Sequence, residues 1–449
     1  MELKDINIDA IQEAIENQNT DYLKSILIEM YPADIAELLD EVNKDEARFI
    51  YGLLDKEEAA AVLMELEDDV RERFINSFST TEIAHDLIDN LDSDDAADLI
   101  NELPGNIRSD VLSQITDRQQ AQDIADLLFY PSDTAGGLMA KELVKVNISW
   151  QVVTCIREMR SQAFEVEHVY AVYVVDDQNV LKGILSLTSL LIASPRDKIA
   201  DLYEEDVISV KAHQQGEEVA QIMNKYDLVV LPVVDELGRL IGRITIDDVV
   251  DFIKDEADKD YQLMSGISHD IESSDKIWVI THGRLFWLIV ALFGGIVGSR
   301  VISNYEDQIS INPEMAFFMP LIAAMAGNVG VQSSALIVQA LANNSLSGSI
   351  INRLLKELTI GMINGLVCSI LLLIYSLVFT PTLALSITVS VSLLTVILFA
   401  SVFGSFVPLA LHRFKIDPAL ATGPFITTAN DIIGLFIYFM IGRMMYGLF

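Results

Sequence analysis

The sequence predicts a multidomain membrane protein with four parts: an α-helical superhelical N domain, a tandem of α/β units, a connecting helix, and a transmembrane domain of five α-helices. Three observations predict it. First, 51% of the 449 residues are apolar while the formal net charge is −36. These two properties separate along the chain: residues 284–449 hold seven Lys/Arg and six Asp/Glu, and residues 1–283 hold 23 and 60. Second, five long apolar stretches fall in the nearly neutral part. Third, two kinds of internal repeat fall in the acidic part. The expected boundaries are 1–135, 136–253, 254–283 and 284–449.

Composition excludes several classes. A pI near 4.3 repels phosphate backbones, so no nucleic acid partner is expected. Cys155 and Cys368 are the only thiols, too few for a disulfide scaffold. The N-terminus reads MELKDINIDAIQEAIE, with no apolar h-region, which places the acidic half in the cytosol. The six histidines form no HExxH pair and no Gly-Lys dipeptide marks a P-loop, so the chain is not expected to be an enzyme.

Residues 1–135 read as one short helix after another. LDKEEAAAVLMEL (54–66) recurs as LDSDDAADLINEL (91–103), an offset of 37, and each copy opens on a capping residue followed by apolar positions at helical spacing. Stacked short helices of this period build a small superhelix with an acidic outer face. YPSDTAGGLM (130–139) then breaks the pattern with Pro131, Gly136 and Gly137.

Further on, VYVVDDQNVLKGILSLTSLL (172–191) matches LPVVDELGRLIGRITIDDVV (231–250), aligning Asp176 with Asp235 and Gly183 with Gly242 at an offset of 59. Each copy reads strand, turn, strand, helix. The tandem resembles a pair of CBS domains, a regulatory module that often binds adenine nucleotides. The resemblance implies that a Thr-x-x-Asp holds a ribose. Thr245 and Asp248 keep that pattern, whereas the first copy has Ser186 and Ser189, so at most one site, for ATP, is expected. The run DDVVDFIKDEADKDYQLMSGISHDIESSD (247–275) leads straight toward the membrane without a proline, as a solvated helix placed to transmit a signal.

The apolar stretches run over 284–303, 314–342, 358–379, 388–411 and 419–441, each near the length a spanning helix requires. Arg353 and Lys356 mark one connection and Arg413 and Lys415 another, while 304–313 and 380–387 carry no Lys or Arg. The positive-inside rule then puts the N-terminus in the cytoplasm and the C-terminus outside the cell, in a multi-pass protein of the plasma membrane, although Arg300 and Arg443 near the outer ends run against it. Gly294/Gly298 and Gly361/Gly365 have the spacing of close helix packing, expected within one chain.

Asp431 lies near the middle of the last stretch, in TTANDIIGLFIYF, beside Thr427, Thr428 and Asn430 and after the Gly423-Pro424 break. A carboxylate at that depth costs at least about 2.5 kcal/mol and is expected on an ion path rather than as a structural, protonated group. Polar breaks of this kind line cavities. A second polar break, PLIAAMAGNVGVQSSA, puts Asn328 and Gln332 on one helix face, for ion contact or interhelical bonding. One carboxylate suits a divalent ion poorly. Two Asp431 side chains across a two-fold axis suit it well, and Mg²⁺ with its waters fits such a ring.

PLIAAMAGNVGVQSSALIVQAL, RLLKELTIGMINGL and DPALATGPFITTANDIIGLFIYF, together with YPSDTAGGLM and the domain order, resemble the MgtE family of magnesium channels and transporters. Ala326 stands where that family has its first glycine. The resemblance covers essentially the whole chain. It implies a homodimer in the lipid bilayer, with Asp431, Asn328 and the carbonyl near Thr427 at a pore for hydrated Mg²⁺, and it implies cytosolic Mg²⁺ sensing that closes the pore. The matching acids are Asp94 and Asp98, Asp248 and Asp251, Glu256 and Asp260, and Asp417, with Lys259 where another acid would be expected. The alternative is a nucleotide-gated transporter of another divalent cation such as Mn²⁺ or Co²⁺.

Overall fold

The computed structural model describes residues 8–163, 166, 168–267, 271, 276–342, 349–380, 382–421 and 423–446. They fall into two units that meet at Asp255 and Glu256, and each is described by itself.

The first unit opens on ten short helices. These are α1 (Ile8–Glu16), α2 (Thr20–Leu27), α3 (Pro32–Glu41), α4 (Lys44–Tyr51), α5 (Lys56–Met64), α6 (Asp68–Ile75), α7 (Thr80–Glu82, continued by a π turn over Ile83–Leu87), α8 (Ser93–Glu102), α9 (Gly105–Gln114) and α10 (Arg118–Leu127). Side chains set several of their starts. Asn43 and Glu46 close a capping box on α4, Ser79 and Glu82 close another on α7, and Asp55 accepts from the Glu58 N–H at 3.0 Å to cap α5. Asp92 is the counterpart of Asp55 in the 37-residue repeat, yet it makes no cap bond to α8.

The two α/β layers follow. β1 (Val144–Asn147), α11 (Val152–Gln162), β2 (Val172–Val175), β3 (Leu181–Leu185) and α12 (Leu187–Ile192) form the first; β4 (Val210–Lys211), α13 (Gly216–Tyr226), β5 (Val230–Val234), β6 (Leu240–Thr245) and α14 (Ile246–Met264) form the second. In each the first strand pairs parallel with the second, and the second antiparallel with the third. The repeat is exact enough to repeat its turns. Asp176 accepts from the Gln178 and Val180 N–H groups, and Asp235 from those of Leu237 and Arg239. The two copies also pair with each other around Val180 and Arg239, which stand at the 59 offset: Leu181 N–H donates to Gly238 O and Leu240 N–H to Asn179 O.

The proline- and glycine-broken stretch after α10 is no loose linker. Ala135 and Gly136 donate to Gln214 and Ala212, and Ala140 exchanges both backbone bonds with Arg243, so the stretch lies along the second α/β layer. Ala135 and Met139 join one apolar core that runs from the short helices (Ile83, Leu99, Ile100) into Val233, Ile244 and Val249. The N domain and the second α/β layer therefore share a core, while the first layer keeps its own around Val144, Val172 and Ile199.

α14 begins at Ile246, inside the second layer, eight residues before the expected connecting segment, because the turn after β6 leads directly into it. Of the acidic run that follows, residues 268–270 and 272–275 lie outside the described residues.

The second unit holds five helices long and apolar enough to cross a membrane: α15 (Ile277–Ser303), then, after a short α16 (Glu306–Ile311) and a 3₁₀ turn, α17 (Met319–Ala342), α18 (Ile350–Phe379), α19 (Leu383–Arg413) and α20 (Pro424–Tyr446). All five starts differ from the apolar stretches: α17 begins five residues later, after the 3₁₀ turn, and α19 five residues earlier. α15 begins seven residues earlier, α18 eight residues earlier, and α20 only at Pro424, after the Gly423 break at φ +54. A side chain on Gly423 would strike the Met264 carbonyl, so the end of α14 lies against the start of α20. Gly361 and Gly365 face Ser401 and Ile397 of α19, and Gly294 faces Thr428, as expected for packing within one chain, whereas Gly298 meets nothing within 4 Å.

Candidate functional site

The helical spacing of α8 separates its residues cleanly. Ser93, Ala96, Ala97, Leu99 and Ile100 are buried, and Asp94, Asp95, Asp98 and Glu102 are left on the outer side. The buried Ser93 hydroxyl donates to Glu142 Oε2 at 2.8 Å and accepts from the Lys141 N–H at 2.9 Å, which brings Glu142 to the start of α8. Oxygens of Asp92, Asp94 and Glu142 lie within 4.8 Å of one another. Adjacent ligand oxygens of a single Mg²⁺ lie about 3 Å apart and opposed ones about 4.2 Å apart, so the three must draw together to ligate it directly.

The first turns of α14 supply the facing acids. The Thr245 hydroxyl and N–H donate to Asp248 Oδ2 at 2.5 and 3.0 Å, fixing that carboxylate at the strand-to-helix turn. Burial, then Asp248, Asp95 and Glu142, holds Asp94 well above the usual carboxylate range. Burial, then Asp248 and Asp92, raises Asp95 to about 7. Asp98 keeps part of its surface in water, yet the protein packed around its carboxyl raises it to about 6, with Glu102 and Asp248 adding to the effect and Arg71 opposing it. For Asp248, burial outweighs the two Thr245 bonds and the shift is upward. Asp251 adds to the upward shift that burial gives Glu65 at the end of α5.

Few cations offset this. Arg71 forks onto Glu102, at 2.8 and 3.2 Å, and also donates to the Met64 and Leu66 carbonyls. Arg243, 7% exposed, reaches Asp92 at 3.6 Å and the His168 carbonyl. Among the described residues Asp94, Asp95, Asp98 and Asp248 form no ion pair. A face of raised, unpaired carboxylates repels itself until protons or a divalent cation neutralise it.

The second constellation lies where α17 crosses α20. A side chain on Gly327 would sit 3.1 Å from Asp431 Oδ1 and 3.1 Å from Thr427 Cγ2, and one on Gly330 would collide with the Asn430 amide. Close approach of α20 at both turns therefore depends on the two glycines. Asp431 Oδ1 is buried and has no hydrogen-bond partner among the described residues. Asn430 turns the other way: it is fully buried, its amide over Gly330 and without a partner among the described residues, so it faces the interior of the helical unit. The Thr427 hydroxyl donates back to Gly423 O at 2.9 Å. Asn328 and Gln332 share the opposite, exposed side of α17.

Known proteins resemble this chain over most of its length. Residues 319–441 match the MgtE family model, described as a divalent cation transporter. Residues 30–133 match the MgtE intracellular N domain, and 135–196 and 199–255 match CBS domains. The magnesium transporter MgtE of Bacillus subtilis is 34% identical over 420 residues, 93% of this chain and 92% of that one. The chain belongs to the MgtE family. Its likeness to the Thermus thermophilus magnesium transporter MgtE is 33% over 443 residues, 97% of this chain and 98% of that one. A crystal structure of the cytosolic domain of the Mg²⁺ channel MgtE in complex with ATP has 34% identity and a TM-score of 0.51, covering 55% of this chain and all of that one.

Within this MgtE chain the sequence-derived residues fall in distinct places. Asp94, Asp98, Asp248 and Asp251 belong to the acidic face of the first unit. Glu256 is paired with Lys259 at 2.9 Å on α14, and Asp417 accepts from the Ala419 N–H at 2.8 Å. Neither they nor Asp260 belong to a three-ligand group among the described residues. Asp92, Asp95, Glu142 and Glu65 were not singled out by the sequence. Only Asp92 left a signal there, as a cap residue at the repeat offset. A second acid of the membrane part, at the edge of its apolar stretch in the sequence, lies away from a helix end. Because α18 starts at Ile350, Glu357 lies two turns inside it and is buried.

Proposed function

We propose that the chain carries Mg²⁺ across the plasma membrane and that cytosolic Mg²⁺ restrains it. The observation that carries the transport reading is Asp431, a buried carboxylate oxygen with no partner at a glycine-lined helix crossing in an apolar five-helix domain. A group so costly to place there is retained for a cation. Transport, rather than catalysis, also accords with the names of the relatives, which specify magnesium and neither manganese nor cobalt.

A homodimer completes the site. Asn328 and Gln332 stand exposed on one face of α17, and polar side chains facing lipid are unfavourable. A second α17 across a two-fold axis covers them and brings two Asp431 carboxylates to a hydrated Mg²⁺. Thr427 and Asn430 flank that ring from within α20, Thr427 through its backbone and Asn430 by fixing the helix against α17. The basic connections beside α18 and α19 put the N-terminus inside and the C-terminus outside.

Regulation follows from the acidic face. Mg²⁺ held by Asp92, Asp94, Glu142 and Asp248, with Asp98 and Asp251 alongside, relieves the repulsion between α8 and α14. Glu256 and Asp260 of α14, with Asp417 at the inner mouth, carry the change to the pore. Ion binding shifts the population toward the closed arrangement by as much as it prefers that arrangement. ATP binds at Thr245 and Asp248. Support comes from the ATP-bound cytosolic domain of the family and from the intact Thr-x-x-Asp turn. Because Asp248 then serves both ligands, ATP and sensor Mg²⁺ are coupled.

Asp431→Ala is expected to abolish Mg²⁺ uptake in cells lacking other Mg²⁺ transporters, with dimer assembly retained on size exclusion. Normal uptake by an assembled variant would remove Asp431 from the ion path.

A further inference from the structure

We propose that Arg243 is the protein's own counter-cation at the Asp92, Asp94 and Glu142 group: without Mg²⁺ it stands in for part of the ion's charge and holds the N domain against the second α/β layer. The inference rests on the sensing reading above and adds to it a cation from the layer that these acids face.

Arg243 lies on β6, two residues before Thr245. Its backbone N–H and carbonyl both bond to Ala140, in the same stretch that carries Glu142, so its Cα is fixed beside the group. From there the buried side chain runs toward the start of α8. Nη2 lies 3.6 Å from Asp92 Oδ2, and Nη1 donates to the His168 carbonyl at 3.2 Å. The guanidinium carbon is 5.4 Å from the centre of the Tyr170 ring. Burial raises Asp248, and Arg243 is among the groups that oppose that rise. One fixed charge therefore acts on an acid of the N domain and on an acid of the second layer.

The geometry is that of a charge set among acids rather than of a clamp. A guanidinium that locks a carboxylate forks onto it, with bonds near about 2.8 Å. Arg71 does this on Glu102, at 2.8 and 3.2 Å. Arg243 stops at 3.6 Å from Asp92, and its buried Nε has no partner among the described residues. Burying a guanidinium with so few bonds is costly unless opposite charge offsets it, and the neighbouring acids supply that charge. Asp92, Asp94 and Glu142 carry three formal negative charges against its one, so the group still attracts a divalent ion and Arg243 need not leave for Mg²⁺ to enter. The two cations then act in the same direction. Loss of the fixed one should be made good by the mobile one, which would not repair a defect of packing.

Hydrogen–deuterium exchange on the full chain in lipid nanodiscs, with and without Mg²⁺ at constant ionic strength, tests this. Without Mg²⁺, Arg243→Met and, separately, Arg243→Gln should speed exchange across α8 and the Glu142 segment by about tenfold, about 1.4 kcal/mol of opening. Saturating Mg²⁺ should bring both neutral variants to within about twofold of the unaltered chain. Arg243→Lys keeps the charge and should leave Mg²⁺-free exchange within about threefold of the unaltered chain. Neutral variants that exchange like the unaltered chain without Mg²⁺, a difference that persists at saturating Mg²⁺, or a Lys variant as fast as the Met variant would each overturn the proposal while the sensing reading stands. An unaltered chain whose α8 exchange ignores Mg²⁺ would sink the sensing reading, and this inference with it.

Discussion

Asp55 and Asp92 hold the same place in a repeat and have different work. Asp55 closes α5, and its replacement by Ala should cost the N domain about 1 kcal/mol, the usual worth of a cap, seen as a lower unfolding midpoint with the Mg²⁺ response unchanged. Asp92 caps nothing and instead faces the buried Arg243 at 3.6 Å, so Asp92→Ala should weaken the response to Mg²⁺, which Asp55→Ala leaves unchanged. The titration of the facing acids gives a second test. Asp94, Asp95, Asp98 and Asp248 are all raised in the folded chain, so they favour folding when protonated. That contribution is fully present below the ordinary carboxylate range, about pH 4, and is lost as pH rises through the folded values of Asp98 and Asp95, about 6 and about 7. Without Mg²⁺, thermal unfolding of the first unit should therefore move to lower temperature between about pH 5 and about pH 8, and millimolar Mg²⁺ should shrink the difference by taking the protons' place. An unfolding temperature independent of pH in this interval would contradict the unpaired-acid description.

At the scale of elements, two crossings matter: α17 with α20, and α8 with the start of α14. Gly330→Ala places a methyl group against the Asn430 amide, so α20 must shift, at about 1–3 kcal/mol for overpacking. Gly298→Ala meets nothing within 4 Å and serves as the control. The Gly330 variant should lower the melting temperature of the detergent-solubilised protein, and the Gly298 variant should not. Much of this was legible in the sequence, because it is written locally. The five apolar stretches, the 59-residue repeat with its paired Asp176 and Asp235 turns, and the polar breaks at Asn328 and Asp431 each need only neighbouring residues to be read. What was not legible depends on distant pairing. Glu142 reaches α8 only because Ser93 holds it there, after Ala140 has paired with Arg243. Glu357 lies inside α18 because residues 350–356, with Asn352, Arg353 and Lys356 among them, extend the helix ahead of its apolar stretch. Asn430 and Asp431 are adjacent in the chain, but a helix turns consecutive residues about 100° apart, and only the position of Gly330 shows which of them faces the core.

For the whole molecule, the charge of −36 divides into an acidic part with 60 Asp/Glu against 23 Lys/Arg and a membrane part with six against seven. Surplus charge of one sign favours expansion of the part that carries it. Here it has a specific location, on α8, α14 and the Glu142 segment, where the proposed neutralisation by a divalent ion would change packing rather than solubility alone. On the proposed reading a dimer, its pore and its sensor act as one device, in which cargo on the cytosolic side limits its own entry. Mg²⁺ flux through proteoliposomes tests this most directly, with the Mg²⁺ on the cytosolic face varied at constant ionic strength. The account predicts that flux falls as that Mg²⁺ rises into the millimolar range, and that joint replacement of Asp94, Asp95 and Asp98 by Asn removes the dependence. Flux indifferent to cytosolic Mg²⁺ in the unaltered chain, or a dependence that survives the triple replacement, would contradict it.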